Sequence, residues 1–192
     1  MNSIHTGEAN MAKTAIFLAD GYEEIEALAV VDIFRRAGIE MDMVSVSEDL
    51  LTNGSHGIKV MADVLLKEVF FDEYDMLVLP GGLKGMQNLE ACAPLMEQID
   101  TFYENGKYIA AICASPSIFG RRGILNGRQA TAYPGFESEL AGAEVVDAGA
   151  VRNGHVITGR SMGSAIEFSL LLVETLLGKE KAEEIAQQIV FM

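Results

Sequence analysis

The sequence predicts an α/β fold, a mostly parallel sheet covered by helices on both faces. Three observations carry that expectation. Short, continuously apolar strands alternate with segments of helical period along the chain. The strands "KTAIFLADG" (13–21), "YDMLVLPGG" (74–82) and "YIAAIC" (108–113) each end in glycine or cysteine, the place where ligands gather in such sheets. No linker, low-complexity tract or repeat interrupts the pattern, so residues 13–192 are expected to form one domain.

The elements follow in order. After the first strand, "EEIEALAVVDIFRRAG" (23–38) has helical period and stops at Gly38. "IEMDMVSVS" (39–47) alternates as a strand, "NGSHG" (53–57) signals a turn, and "IKVMAD" (58–63) is a short strand. Behind the third strand, "PLMEQIDTFYENG" (94–106) is a helix with Pro94 near its start and Gly106 past its end. "PSIFGRRGIL" (116–125) is a short helix. "RQATAYPG", "AEVVDAG" and "HVITGR" read as strands, the last two joined through the hairpin signal of "AVRNG". "SAIEFSLLLVETLLG" and "KEKAEEIAQQIVF" close the chain as helices.

Composition narrows the function classes. With 28 acids against 14 bases, a net charge of −14 repels phosphate backbones and acidic lipid headgroups, which argues against nucleic acid and membrane as partners. No apolar run reaches the roughly 18 residues of a membrane span. Residues 1–12 lack the apolar centre of a secretion signal and are expected to be a disordered leader or an expression remnant, with Met11 an alternative start; a cytoplasmic location follows as the expectation. Two cysteines, Cys92 and Cys113, cannot build a disulfide framework, and no paired Cys or His motif offers a metal site.

Cys113 lies where a buried strand ends, followed by Ala114, Ser115 and Pro116. Two readings stand: a small inert core residue, or a nucleophile just before a helix, where the dipole and free N–H groups favour thiolate. Ser115 fits an N-cap and Pro116 the first helical position. Small neighbours permit the tight turn of a nucleophile elbow. Histidine offers no obvious base: His5 lies in the leader, His56 in a turn and His155 at a hairpin, the last two expected as solvated loop residues. The carboxylates of the first helix say more. On a helical wheel Glu26 shares an apolar arc with Ala29, Val30, Ile33 and Ala37, whereas Glu24 points to the opposite side and Glu23 to the margin. An inward acid kept neutral by burial can donate to a thiolate and shuttle protons. Gly81-Gly82 is either a plain tight turn or a set of backbone donors for an oxyanion.

Together, "LADGYEEIEALAVVDIFRRAGI", "LVLPGG", "AAICASP" and "GKEKAEEIA" resemble the ThiJ/PfpI superfamily, in the branch of the parkinsonism-associated deglycase, over nearly the whole chain from Lys13. The resemblance implies a flavodoxin-like three-layer sandwich, similar to class I glutamine amidotransferases, and a homodimer pairing through the first helix. It implies a cysteine nucleophile elbow at Cys113, a protonated glutamate at Glu26, and backbone donors at Gly82 and Ala114. The implied chemistry needs no cofactor: conversion of methylglyoxal or glyoxal to hydroxy acids, repair of glycation adducts, or redox sensing through cysteine sulfinate. The sequence departs from the family in three places. Ala114 replaces the histidine of protease-like relatives, which argues against peptidase chemistry. Tyr133 replaces a histidine, and Ser161 to Ser164 replace a Gly-Pro-Gly-Thr turn, both where the pocket wall is expected.

Overall fold

A computed structural model describes residues 12–191. The leader expected over 1–12, with His5 in it, falls outside the described residues except for Ala12. Seven strands form the central sheet: β1 (Lys13–Leu18), β2 (Glu40–Ser45), β5 (Val64–Leu65), β6 (Met76–Leu79), β7 (Tyr108–Ile112), β10 (Ala150–Asn153) and β11 (Val156–Gly159). Two small ribbons complete the strands, β3 (Leu51–Asn53) with β4 (Lys59–Met61), and β8 (Gln129–Ala130) with β9 (Glu144–Val145). The sheet order is β10-β11-β7-β6-β1-β2-β5, and every pairing is parallel except the β10–β11 hairpin at one edge.

The helices are α1 (Glu24–Ala37), α2 (Leu83–Glu90), α3 (Ala93–Glu104), α4 (Pro116–Arg121), α5 (Ala165–Leu177) and α6 (Lys179–Gln188). Strand alternation sends neighbouring β1 residues to opposite faces. Ile16 and Leu18 pack with Val30, Phe34, Phe168 and Leu172 of α1 and α5. Ala15 and Phe17 pack with Leu89, Ile99 and Phe119 of α2, α3 and α4. These are the two apolar layers of a three-layer sandwich, as the uninterrupted strands require.

Most boundaries match the sequence expectation, including the left-handed Gly38 after α1. Two differ for physical reasons. The residues "AVRN" are themselves the first strand of the edge hairpin, pairing with "VITG", and the expected "AEVV" strand instead contributes β9 to the small ribbon. Helix α2, "LKGMQNLE", has a glycine in its interior and no terminal cap residue, so the sequence carries no start or stop signal for it.

Candidate active site

The carboxyl ends of β6 and β7 converge with the start of α1. Cys113, directly after β7, has φ +67, a left-handed conformation that costs a residue with a Cβ about 1–3 kcal/mol. Its backbone is held on both sides. The Cys113 N–H donates to the Gly159 carbonyl at 2.9 Å, and its carbonyl accepts the Tyr133 N–H at 2.9 Å. This is the sharp strand-to-helix elbow that exposes a side chain above a sheet.

Ser115 occupies the N-cap position but makes no cap bond; its buried hydroxyl donates to the Pro80 carbonyl at 2.6 Å. The Ser117 hydroxyl donates to the Ala114 carbonyl at 2.6 Å. The serine that reads as a cap therefore fastens the elbow to the end of β6, immediately before the glycine pair.

Gly81 is the centre of the arrangement. A Cβ built there would fall 2.4 Å from Glu26 Oε2 and 2.5 Å from Cys113 Cβ. The carboxyl and the cysteine both pack against the bare Gly81 backbone, and any side chain there would collide with both. Gly81 N–H donates to Glu26 Oε2 at 2.9 Å, and the Gly81 carbonyl accepts the Glu23 N–H at 2.9 Å. The glycine grouped with the oxyanion donors on sequence thus commits its N–H to the acid, a correction to that expectation. The Gly82 and Ala114 N–H groups instead favour the charged form of the Cys113 sulfur. Gly82 has φ +86, and a Cβ there would meet the Gly21 carbonyl oxygen at 2.3 Å.

Glu26 is 1% exposed, as its place on the apolar arc of the wheel requires. Its Oε1 is buried and has no hydrogen-bond partner among the described residues. Burial pushes its pKa up to about 7; the Cys113 side chain and the Gly81 and Met162 N–H groups pull the other way without overcoming it. Burial, and then the charge of Glu26, push the Cys113 thiol up to about 12, against the Gly82 and Ala114 N–H groups that favour thiolate. One of the two sequence readings has the helix start favour thiolate at the cysteine. Burial and a neighbouring acid outweigh it here. The pair therefore gives up its protons in two well-separated steps, the first near pH 7 and the second near 12, because ionising both places like charges together.

The remaining sequence candidates separate. Tyr133 is tied to the elbow through its backbone while its side chain is 47% exposed. The Ser161–Ser164 departure spans a 3-10 turn, Met162–Ser164, near enough for the Met162 N–H to lower the Glu26 pKa slightly without bonding its buried Oε1. Cys92 precedes α3 and lines a different cavity with Val46, Phe71 and Pro94. His155 is half-buried rather than fully solvated; its ring is tilted against Tyr103 with centroids 5.3 Å apart and its Nε2 lies 3.1 Å from the Tyr103 carbonyl. His56 is the exposed loop residue expected, whereas Glu24 breaks expectation. Glu24 is 2% exposed, and the 54–57 loop folds over it, with the His56 N–H on Glu24 Oε1 at 2.7 Å. That loop comes from a distant stretch of chain, so a helical wheel holds no sign of it.

The sequence model of the DJ-1/PfpI family matches residues 12–175. The chain belongs to this family. It is 38% identical over 187 residues to DJ-1 homolog B of Arabidopsis thaliana, covering 96% of the chain but 43% of that protein, so it spans less than half of this plant relative. It is 33% identical over 153 residues to a protein named a deglycase in Pyrococcus abyssi, covering 79% of the chain and 91% of the relative. The solved structure of oxidised Toxoplasma gondii DJ-1 superposes with a TM-score of 0.90 at 36% identity, covering 94% of this chain and 98% of that one. The sandwich of this DJ-1/PfpI chain is accordingly the flavodoxin-like, class I glutamine amidotransferase-like fold.

Proposed function

We propose that this DJ-1/PfpI protein is a cofactor-independent glyoxalase or deglycase-type enzyme, converting 2-oxoaldehydes such as methylglyoxal and glyoxal to hydroxy acids. The observation that carries the reading is the placement of Glu26 against Cys113 at Gly81, where the glycine N–H holds the carboxyl and any side chain would collide with both. The archaeal relative named a deglycase supports the same class of chemistry.

In this reading the one-proton pair meets substrate as Cys113 thiol and Glu26 carboxylate, and the thiol proton passes to Glu26 as the sulfur attacks. The sulfur bonds to the aldehyde carbon, and the carbonyl electron pair moves to oxygen as an oxyanion. The Gly82 and Ala114 N–H groups hold that oxyanion and Glu26 protonates it. Glu26, now carboxylate, removes the proton from the former aldehyde carbon and returns it to the neighbouring carbon, while the hydroxyl proton of the first carbon passes to the oxygen of the second. The product is the thioester of a 2-hydroxy acid. Water cleaves it, its hydroxyl going to the acyl carbon and its remaining proton to the Cys113 sulfur, which releases the acid and restores the thiol beside the Glu26 carboxylate. Water is the only co-reactant and no electrons leave the system. Tyr133 and the 161–164 turn flank the site and would set substrate choice rather than carry the proton.

The test is methylglyoxal conversion to lactate without glutathione or added metal, by wild type and Cys113→Ala side by side. Turnover by wild type alone supports the assignment; lactate from the alanine variant overturns it.

A second reading rests on the same sulfur. Cys113 is half-buried, with the Gly82 and Ala114 N–H groups favouring negative charge on its sulfur and an acid beside it, a setting that would hold the oxygens of a sulfinate. As an oxidative-stress sensor the protein would gain two oxygens at Cys113 under mild peroxide before Cys92 changes, and mass spectrometry finding Cys92 oxidised first counts against it. Either reading is framed in a cytoplasmic homodimer pairing through α1, which sedimentation at several concentrations tests.

A further inference from the structure

Four donor atoms meet where the 54–57 loop crosses the start of α1: Glu23 Oε2, Glu24 Oε2, His56 Nδ1 and the Ser55 hydroxyl. The Ser55 oxygen lies 3.1 Å from Glu23 Oε2, 3.1 Å from Glu24 Oε2 and 2.9 Å from His56 Nδ1. His56 Nδ1 lies 3.1 Å from Glu24 Oε2 and 3.5 Å from Glu23 Oε2. Five of the six edges of a tetrahedron thus fall between 2.9 and 3.5 Å. A tetrahedral zinc ion with bonds of about 2.0–2.1 Å needs edges of roughly 3.3–3.4 Å.

Proton counting leaves part of the cluster unserved. The Ser55 hydroxyl brings one proton and His56 Nδ1 at most one, while both carboxylate oxygens bring lone pairs only. With both protons placed, one Ser55–carboxylate O···O contact still has no proton between its atoms. A cation at the centre would bond to all four donor atoms and remove that mismatch. The scaffold is also fixed from outside the cluster. Glu24 is held from its other oxygen by the His56 N–H at 2.7 Å, which leaves Oε2 free to face inward. A Cβ at Gly54 would fall 2.2 Å from Glu24 Oε1, so the loop reaches the carboxylate only because that residue is glycine. The three side chains Glu23, Glu24 and His56 are also the group whose ligand atoms all lie within 4.8 Å of one another.

We propose that Glu23, Glu24 and His56 bind a divalent transition ion, zinc by size and donor type, with the Ser55 hydroxyl at the fourth corner. The ion clamps the 54–57 loop to the first turn of α1. One imidazole nitrogen with oxygen donors in a tetrahedron suits Zn²⁺ better than Mg²⁺ or Ca²⁺, which take six or more oxygens. The site uses neither Cys113 nor Glu26 and stands apart from the proposed aldehyde chemistry. It also revises the sequence expectation of no metal site, because its ligands come from residues 23–24 and 55–56 without a shared motif.

The experiment is a calorimetric titration of the full chain with Zn²⁺ in a Cys92→Ala, Cys113→Ala background, which removes both thiols as competing ligands. It is repeated with Co²⁺ for its tetrahedral absorption. The expected result is one equivalent of bound metal and visible cobalt bands without a thiolate charge-transfer band. His56→Ala and Glu23→Gln, each added to this background, are expected to weaken binding by more than the roughly 10–100-fold lost with an outer-shell partner. The His56 side chain is 70% exposed, and circular dichroism checks that both variants fold. No saturable binding in the thiol-free protein overturns the proposal. So does binding that survives both added substitutions, or an octahedral cobalt spectrum.

Discussion

Glu24 and Glu26 stand two residues apart at the start of α1, both are buried, and they titrate in opposite directions. Burial pushes both up. At Glu24 the backbone N–H groups of Glu24 and His56, the His56 ring and the Ser55 hydroxyl outweigh it and bring the pKa down to about 2. At Glu26 one oxygen accepts the Gly81 N–H, the other has no partner among the described residues, and the pKa rises to about 7. Depth in the protein is therefore a poor guide to the state of an acid. The count of donors reaching it decides. One helix turn presents a permanently charged carboxylate to a loop and a proton-bearing one to a thiol.

The largest way to break this comparison is to exchange each acid for its amide. Glu26→Gln keeps the shape and the Gly81 contact but cannot move a proton, so methylglyoxal turnover should fall by about 10²–10⁴-fold. Glu24→Gln should turn over substrate at close to the wild-type rate per folded molecule. Equal losses in the two variants would show that the pair does not divide the work in this way. The pH profile sharpens the point. The reactive form of the Cys113–Glu26 pair carries one proton, and the second proton leaves near pH 7, so kcat/KM should climb about tenfold per unit below pH 7 and level off above it. In Glu26→Gln that limb should move away from 7.

Stability should separate the acids with opposite signs. Glu26 has a folded pKa above that of the unfolded chain, so its contribution is complete below about 4.5 and disappears as pH rises through about 7. The accumulated loss is on the order of 3 kcal/mol, and Glu26→Gln should gain on wild type by a comparable amount between pH 5 and pH 8. Glu24 has a folded pKa below that of the unfolded chain, so its contribution is complete above about 4.5 and lost as pH falls toward 2. Glu24→Gln should cost about 2 kcal/mol at pH 7 and progressively less in acid. Urea unfolding of the three proteins across this range reads both slopes. Parallel slopes for the two amides would contradict the donor-count explanation.

The same pair shows what the sequence could reveal. The parallel strands, α1 with its Gly38 stop, and the inward face of Glu26 all follow from local periodicity, which one stretch of chain contains in full. Cys113 at the end of β7 was legible as a position, since strand ends are readable and small residues follow it. Its +67 φ was not. Gly81 was visible as a loop glycine, but its role as the spacer between acid and sulfur depends on three chain segments meeting. Glu24 was misplaced for the same reason: a wheel treats a helix as if it had one neighbour, and the 54–57 loop supplies another. Contacts made by distant segments on a short, weakly patterned ribbon leave no trace in hydrophobic spacing.

The smallest effect is the most selective. Ser115 joins the elbow to Pro80, the residue before the Gly81 seam, and both hydrogen-bonding partners are buried. Ser115→Ala leaves the Pro80 carbonyl without that donor, which should cost about 1 kcal/mol of stability. Neither a hydroxyl nor a carbonyl titrates between pH 4 and pH 8, so the loss should be the same at both ends of that range, unlike the loss or gain from either acid. Turnover should fall with it, because the seam that sets Glu26 against Cys113 loses one of its ties, while the rising pH limb stays near 7. Urea unfolding at the two pH values and a pH–rate profile measure these outcomes. A pH-dependent loss would mean that Ser115 acts by changing the protonation of Glu26, and a Ser115→Ala enzyme with full turnover would mean that Gly81 and the strand ends hold the pair without help from the elbow.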